Sequence, residues 1–332
     1  MARSGDETVE AGVETSRRRV SLGIALEGDR SHQDITKLAK LAEKLGFDSV
    51  HLYEHLPHRP AWASAFLIAR ETIRVTVGPV TVPALAYDPL VLARFAAALK
   101  EVAGERALLG ISRGAFGELI GRTRPRVEEL AAYLKELHGL LRGNSSSPTV
   151  DWAIGKLPKI YVGTSGKRLG AIAAAMPFVA GVVVDNLWDP SYARLMASNA
   201  REVRESTTMD PEGFELIARP FCYVSDDRRA ALSTLVPALK TYLVQLVGNS
   251  PMLRHMGLDL ESLEEILEGP LDRAEEVVRK FAFFGTVSEL EDHLVEMFKS
   301  GVTQVCFGYP LGPSPEEAIR SIARALPPPD VL

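Results

Sequence analysis

Residues 159–184 read KIYVGTSGKRLGAIAAAMPFVAGVVV, and the fold class turns on this stretch. Lys159–Val162 is a short apolar run with the aromatic and β-branched content of a buried strand. Gly163-Thr-Ser-Gly166 punctuates it, Lys167–Ala175 is built of helix formers, and Gly181–Val184 is a second buried strand. Strand, glycine-rich turn, helix and strand in so short a span make one β-α-β unit, the repeat of parallel α/β folds.

The same rhythm extends in both directions. Upstream, strands over Val20–Leu26, Asp48–Leu52, Arg74–Val80 and Ala107–Ile111 alternate with helices over Ile35–Leu45, Ala61–Arg70, Leu90–Val102 and Arg126–Leu141. Downstream, a helix over Pro190–Arg204 leads to a seventh strand, Glu215–Val224. A mostly helical stretch over residues 227–284 is too long for one crossover and reads as an insertion. Helix Val287–Ser300, strand Thr303–Phe307 and helix Pro315–Ala325 complete the chain. Eight strands, each followed by helix, predict an α/β protein of the (β/α)8 TIM-barrel type with a helical insertion after strand 7. A doubly wound sheet would give a similar alternation. Residues 1–18 are polar and aperiodic, a disordered leader, and 19–332 form a single domain. Residues 144–148 (NSSSP) form a polar loop.

Composition narrows the function. The 332 residues are 46% hydrophobic and 24% charged, the balance of a globular protein. A net charge of −5 and a pI of about 5.9 offer no basic field for nucleic acid. The longest uncharged run, Leu169 to Val184, is broken by Pro177 and too short for a bilayer, so no membrane partner is expected. Cys222 and Cys306 make neither a disulfide framework nor a zinc knuckle, which suits a reducing, cytoplasmic setting.

A barrel puts its chemistry at the C-terminal strand ends. There lie Glu27, Glu54, His55, Val80 to Val82, Ser112 to Gly114, Gly163 to Lys167, Asp185, Asn186, Gly308 and Tyr309. Gly163, Thr164, Ser165, Gly166 and Lys167 open a helix whose free N–H groups and dipole suit a phosphate, although a plain βα turn would look the same. Arg113, just past a strand end, could grip a carboxylate or phosphate, or simply be solvated. Glu54 and His55 suit acid–base chemistry or cofactor contact, with a buried hydrogen-bonded histidine as the bland alternative. His51, His55 and His58 share no helix face, and no downstream cluster completes a tetrahedral set, so no metal site is expected. Walker and GxGxxG motifs are absent.

Several stretches carry a family likeness. GFDSVHLYEH at 46–55 resembles the strand-two segment of the bacterial luciferase-like flavin and deazaflavin oxidoreductases. TIRVTVGPVTV at 72–82, followed by Asp88-Pro89, and GERALLG at 104–110 resemble their third and fourth strands. FGTVSEL at 284–290, SGVTQVCFGYPLGP at 300–313 and PMLRHMGLD at 251–259 are similar to the coenzyme F420-dependent methylenetetrahydromethanopterin reductases within that superfamily. The likeness runs from about Val20 to Leu326.

The resemblance implies a TIM barrel binding F420 across its strand ends, with hydride transfer between the deazaflavin and a pterin-like or related small substrate. FMN is the alternative cofactor, with luciferase-like monooxygenation as its chemistry. A deazaflavin-binding paralogue that has lost catalysis is another reading. The resemblance further implies that Glu54 and His55 fall on the family's Asp-His pair, and that Val80 and Thr81 form a non-prolyl cis peptide against the ring. Gly163 to Lys167 then hold the cofactor phosphate, Arg113 and Gly114 lie beside the cofactor, and the protein is expected to be a homo-oligomer. Ala25 and Ala115 stand where those reductases have acidic residues. Glu27, two residues beyond Ala25 on the same face of the strand, is then a candidate substitute proton donor with a pKa raised by desolvation, or else a solvent-facing residue that opens the Glu27-Gly28-Asp29 turn.

Overall fold

The computed structural model describes residues 20–144, 150–247 and 251–325. The expected leader at 1–18 and most of the 144–148 loop lie outside the described residues. The first half of the chain holds β1 (Ser21–Leu26), α1 (His32–Lys44), β2 (Ser49–Leu52), α2 (Ala61–Glu71), β3 (Thr76–Pro79), β4 (Val82–Pro83), α3 (Pro89–Ala103), β5 (Leu108–Ser112) and α4 (Val127–Arg142). The second half holds β6 (Lys159–Gly163), α5 (Lys167–Ala174), β7 (Val179–Asp185), α6 (Pro190–Ser206), β8 (Glu215–Arg219) and β9 (Phe221–Val224). It continues through α7 (Arg228–Val247), α8 (Pro251–His255), α9 (Leu260–Glu268), α10 (Leu271–Val278), β10 (Ala282–Gly285), α11 (Val287–Lys299), β11 (Gln304–Pro310) and α12 (Pro315–Arg324).

The strands pair in parallel in the order β3-β2-β1-β11-β8-β7-β6-β5-β4, and a Val77–Ala107 bridge joins β3 to the β5 edge. This is the (β/α)8 barrel. Two of its eight staves are split. The Val80–Thr81 peptide is cis and separates β3, which pairs with β2, from β4, which pairs with β5. Pro220 divides the seventh stave, because proline has no N–H for a ladder. Below it β8 pairs with β7 and β11; above it β9 pairs with β11 and β10. The stretch at 227–284, expected to be mostly helical, ends in a strand. Ala282–Gly285 is too short an apolar run for periodicity to tell strand from helix.

Helix starts follow local chemistry. Ser31, Asp88, Asp189 and Ser314 cap α1, α3, α6 and α12 by accepting from backbone N–H groups, and Thr286 forms a capping box with Glu289. Inside the barrel, Tyr53, Leu108, Tyr161, Ile217 and Cys306 pack on one another. Their bulk is accommodated by strand glycines. A Cβ on Gly78 would land on the Leu108 carbonyl, and one on Gly181 on the Glu215 carbonyl.

Candidate active site

The C-terminal ends of the strands surround a cleft. Its walls include Glu54 and His55 after β2, Thr81 in the cis peptide and Gly163, Thr164 and Ser165 after β6. The loop after β5 contributes Gly114, Ala115, Phe116 and Arg124, and β7 ends in the cleft at Asp185 and Asn186. Of the residues singled out from sequence, Val80, Arg113, Gly166, Lys167 and Glu27 stand behind or beside these walls rather than in them. Phe116 and Arg124 were not foreseen, because they lie in an aperiodic loop.

Glu27 is the clearest correction. Its carboxylate is buried, 4% exposed, with Oε2 3.0 Å from His55 Nδ1 and Oε1 2.6 Å from His58 Nδ1. Burial opposes ionisation, but the hydrogen bonds and charges of His55 and His58 outweigh it and hold the carboxyl at about pKa 2. An ionised carboxylate is no proton donor at neutral pH, so the expected raised pKa is reversed. His58 is raised by the same hydrogen bond, its own desolvation opposing. Glu27, His55 and His58 each offer a ligand atom within 4.8 Å of the others, and each Nδ1 meets one carboxylate oxygen. Their carboxylate partner lies upstream of both histidines in the sequence.

The His55 ring is held on its faces as well. It stacks on Tyr53 at 5.2 Å between centroids and meets the Phe116 ring at 5.8 Å. Tyr53 in turn lies under the Arg219 guanidinium, 4.3 Å from its centroid. Arg219 is 1% exposed and clamps Asp185 with both ends of its fork, Nη2 to Oδ2 measuring 2.9 Å. It also donates to the Val80 carbonyl of the cis peptide. One buried cation thus fixes β7's last side chain, the cis bulge and the platform beneath His55.

Glu54 has partners of its own. It accepts from the Ala61 backbone N–H at 2.6 Å and from the Tyr87 hydroxyl, and burial raises its pKa. Across the cleft, Gly163 has no room for a side chain, since a Cβ would lie 2.6 Å from Thr81 Cγ2. Gly166 caps α5 without a side-chain partner for the helix, and its own N–H is taken by Thr164 Oγ1 at 2.9 Å. Lys167 is exposed at the first position of α5. The N-terminus of α5 thus presents backbone donors and a cation beside a glycine wall, a cradle that fits a cofactor phosphate. Desolvation, and then the like charge of Arg113, lower the pKa of Arg124 to about 10 although much of its side chain is exposed. The Ala115 position, where the resembling reductases carry an acid, does face the cleft.

Comparison with known proteins then fixes the family. A family model described as luciferase-like monooxygenase matches residues 17–304. The chain belongs to the luciferase-like monooxygenase family. Within this family, a 5,10-methylenetetrahydromethanopterin reductase of Archaeoglobus fulgidus is 23% identical over 93% of this chain and 99% of its own length. An F420-dependent glucose-6-phosphate dehydrogenase of Kribbella flavida is 35% identical over 42% of this chain and 50% of its own. The solved coenzyme F420-dependent tetrahydromethanopterin reductase of Methanopyrus kandleri superposes with a TM-score of 0.77, at 22% identity, over 93% of this chain and 98% of that one. That superposition confirms the luciferase-like barrel. No helix among the described residues is long and apolar enough to cross a membrane.

Proposed function

We propose that this luciferase-like enzyme is an F420-dependent oxidoreductase acting on a small pterin-like or related substrate. What carries the reading is the cleft itself, which joins a phosphate cradle at the α5 N-terminus to an acid–base histidine across the cis bulge at Val80–Thr81. Relatives named as methanopterin reductases along nearly the whole chain favour the deazaflavin over FMN.

When bound, F420 supplies or accepts hydride at C5 of its ring. The chain's own residues have three tasks. Backbone N–H groups of α5, with Lys167 and Ser165, bind the phosphate; Gly163 and Thr81 shape the wall between phosphate and ring. Phe116, above His55, limits water at the reacting end. His55 holds the proton. Reduction of an imine-like carbon by hydride leaves a nitrogen that must be protonated, and imidazole exchanges protons near neutral pH.

The test is binding, then turnover. The chain should bind F420 more tightly than FMN in fluorescence titrations, and reduced F420 should be oxidised by a member of a methylenetetrahydropterin and cyclic-imine panel. His55→Ala should lower kcat at least about tenfold, within the range expected of acid–base groups. Preferential FMN binding with oxygen consumption would instead establish a monooxygenase.

A further inference from the structure

We propose that Glu27 is a positioning residue for His55, holding it as the Nδ1–H tautomer so that proton exchange with a bound substrate runs through Nε2. This deepens the oxidoreductase reading and rests on it for the identity of the reaction. The geometry is that of a carboxylate shared by two imidazoles: one oxygen faces His55 Nδ1 and the other His58 Nδ1. A carboxylate can only accept hydrogen bonds, so both Nδ1 atoms must carry protons. Glu27 stays ionised far below neutral pH because the two histidines together outweigh its burial. Tyr53 and Phe116 restrain the same ring from its face and edge, so the tautomer and the ring plane are set together. His58, at the outer side with 26% of its side chain exposed, keeps the second oxygen occupied and the carboxylate charged.

Proton bookkeeping is simple. His55 gives the Nε2 proton to the substrate atom left anionic by hydride addition and becomes the neutral Nδ1–H form, which Glu27 already holds. Solvent returns the proton to Nε2 after product leaves. Glu27 neither gains nor loses a proton in the cycle. The opposite tautomer would present a protonated Nε2 before and after the step and could not be recharged there.

Histidine-selective 15N labelling of the full chain tests this without any turnover. With the ring in its neutral form, long-range 15N–1H correlations should show His55 as Nδ1–H. In Glu27→Gln the side chain has one acceptor and one donor, so the two rings cannot both remain Nδ1–H and one must invert. In Glu27→Ala, His55 should relax to a mixture. Glu27→Ala, and Glu27→Gln where His55 is the ring that inverts, should lose about 10²-fold in kcat while F420 affinity stays within about threefold, a split that generalised destabilisation would not give. A wild-type His55 found as Nε2–H or as a mixture overturns the proposal, and this needs no variant that folds. Unchanged tautomers in both variants, or full kcat in Glu27→Ala with F420 bound, overturn it equally. Failure of the wild-type chain to bind F420 would remove the proposed reaction and leave the tautomer result standing.

Discussion

The two ends of the barrel treat polar side chains in opposite ways. At the N-terminal floor they close on one another. Lys159 pairs with Glu215, Tyr161 donates to the same carboxylate at 2.7 Å, Gln304 reaches Ser21 at 2.9 Å, and Asp48 accepts from the Leu22 N–H at 3.0 Å. At the C-terminal mouth the pairing is directed outward: Glu27 holds His55, Arg219 holds Asp185, and the held groups face the cleft. The floor's networks tie strand ends to one another, whereas the mouth's networks fix side chains that line the cleft.

The harshest way to break the mouth is Arg219→Met. Asp185 would lose its cation and the Val80 carbonyl its donor, with an expected loss of about 3–5 kcal/mol in urea unfolding and no measurable F420 binding. Retained binding in a folded Arg219→Met protein would mean the mouth does not depend on this clamp.

Glu27→Gln comes next and carries a pH signature. The folded carboxyl titrates at about 2 against an ordinary 4.5, so its contribution is full above pH 4.5 and is lost as pH falls toward 2. His58 is shifted the other way, so its contribution is full below its ordinary 6.5 and is lost as pH rises through its folded value. The group is therefore most stabilising between these limits. The wild-type advantage over Glu27→Gln should reach on the order of 3 kcal/mol there and shrink toward pH 2 in denaturant titrations. A pH-independent difference would contradict the depressed carboxyl.

Gly166→Val sharpens the contrast between fold and ligand. A Cβ at Gly166 would meet only Thr164 Oγ1, at 3.6 Å, so the melting temperature should hold while F420 binding weakens at least about tenfold, or about 1.4 kcal/mol. Unchanged affinity by calorimetry would move the phosphate elsewhere. The mildest change belongs to the floor. Lys159→Met removes a partly exposed ion pair, 46% and 32% exposed, and should cost no more than about 1 kcal/mol with no change in cofactor affinity.

Much of the barrel was legible because its signals are local. Each expected stave falls within a few residues of an observed strand, since buried parallel strands are short apolar runs set off by glycine and by capping residues. The breaks were not legible: Pro220 lies inside a run that reads as one strand, and Ala282–Gly285 is too short to show a period. At the site, strand-end position alone was enough to bring His55, Thr81 and Gly163 to Ser165 into one cleft. The direction of the Glu27 shift was misread because it depends on hydrogen bonds from His55 and His58, brought near by the β1–β2 pairing, which spacing along the chain does not encode. Arg219 was not legible because it lies inside the run that reads as one strand, and only the closed barrel buries it beside Asp185.

The strand glycines also set how this protein can change over generations. At Gly78 and Gly181 the obstacle to any side chain is a neighbouring carbonyl, which no rotamer change can move aside. A library randomised at either position should return glycine almost alone among folded members. One randomised at Gly166 should return most residue types folded, with ligand affinity sorting them. Drift can therefore reshape what the mouth recognises one residue at a time, while the barrel's inner wall accepts novelty only through coordinated changes on adjoining staves.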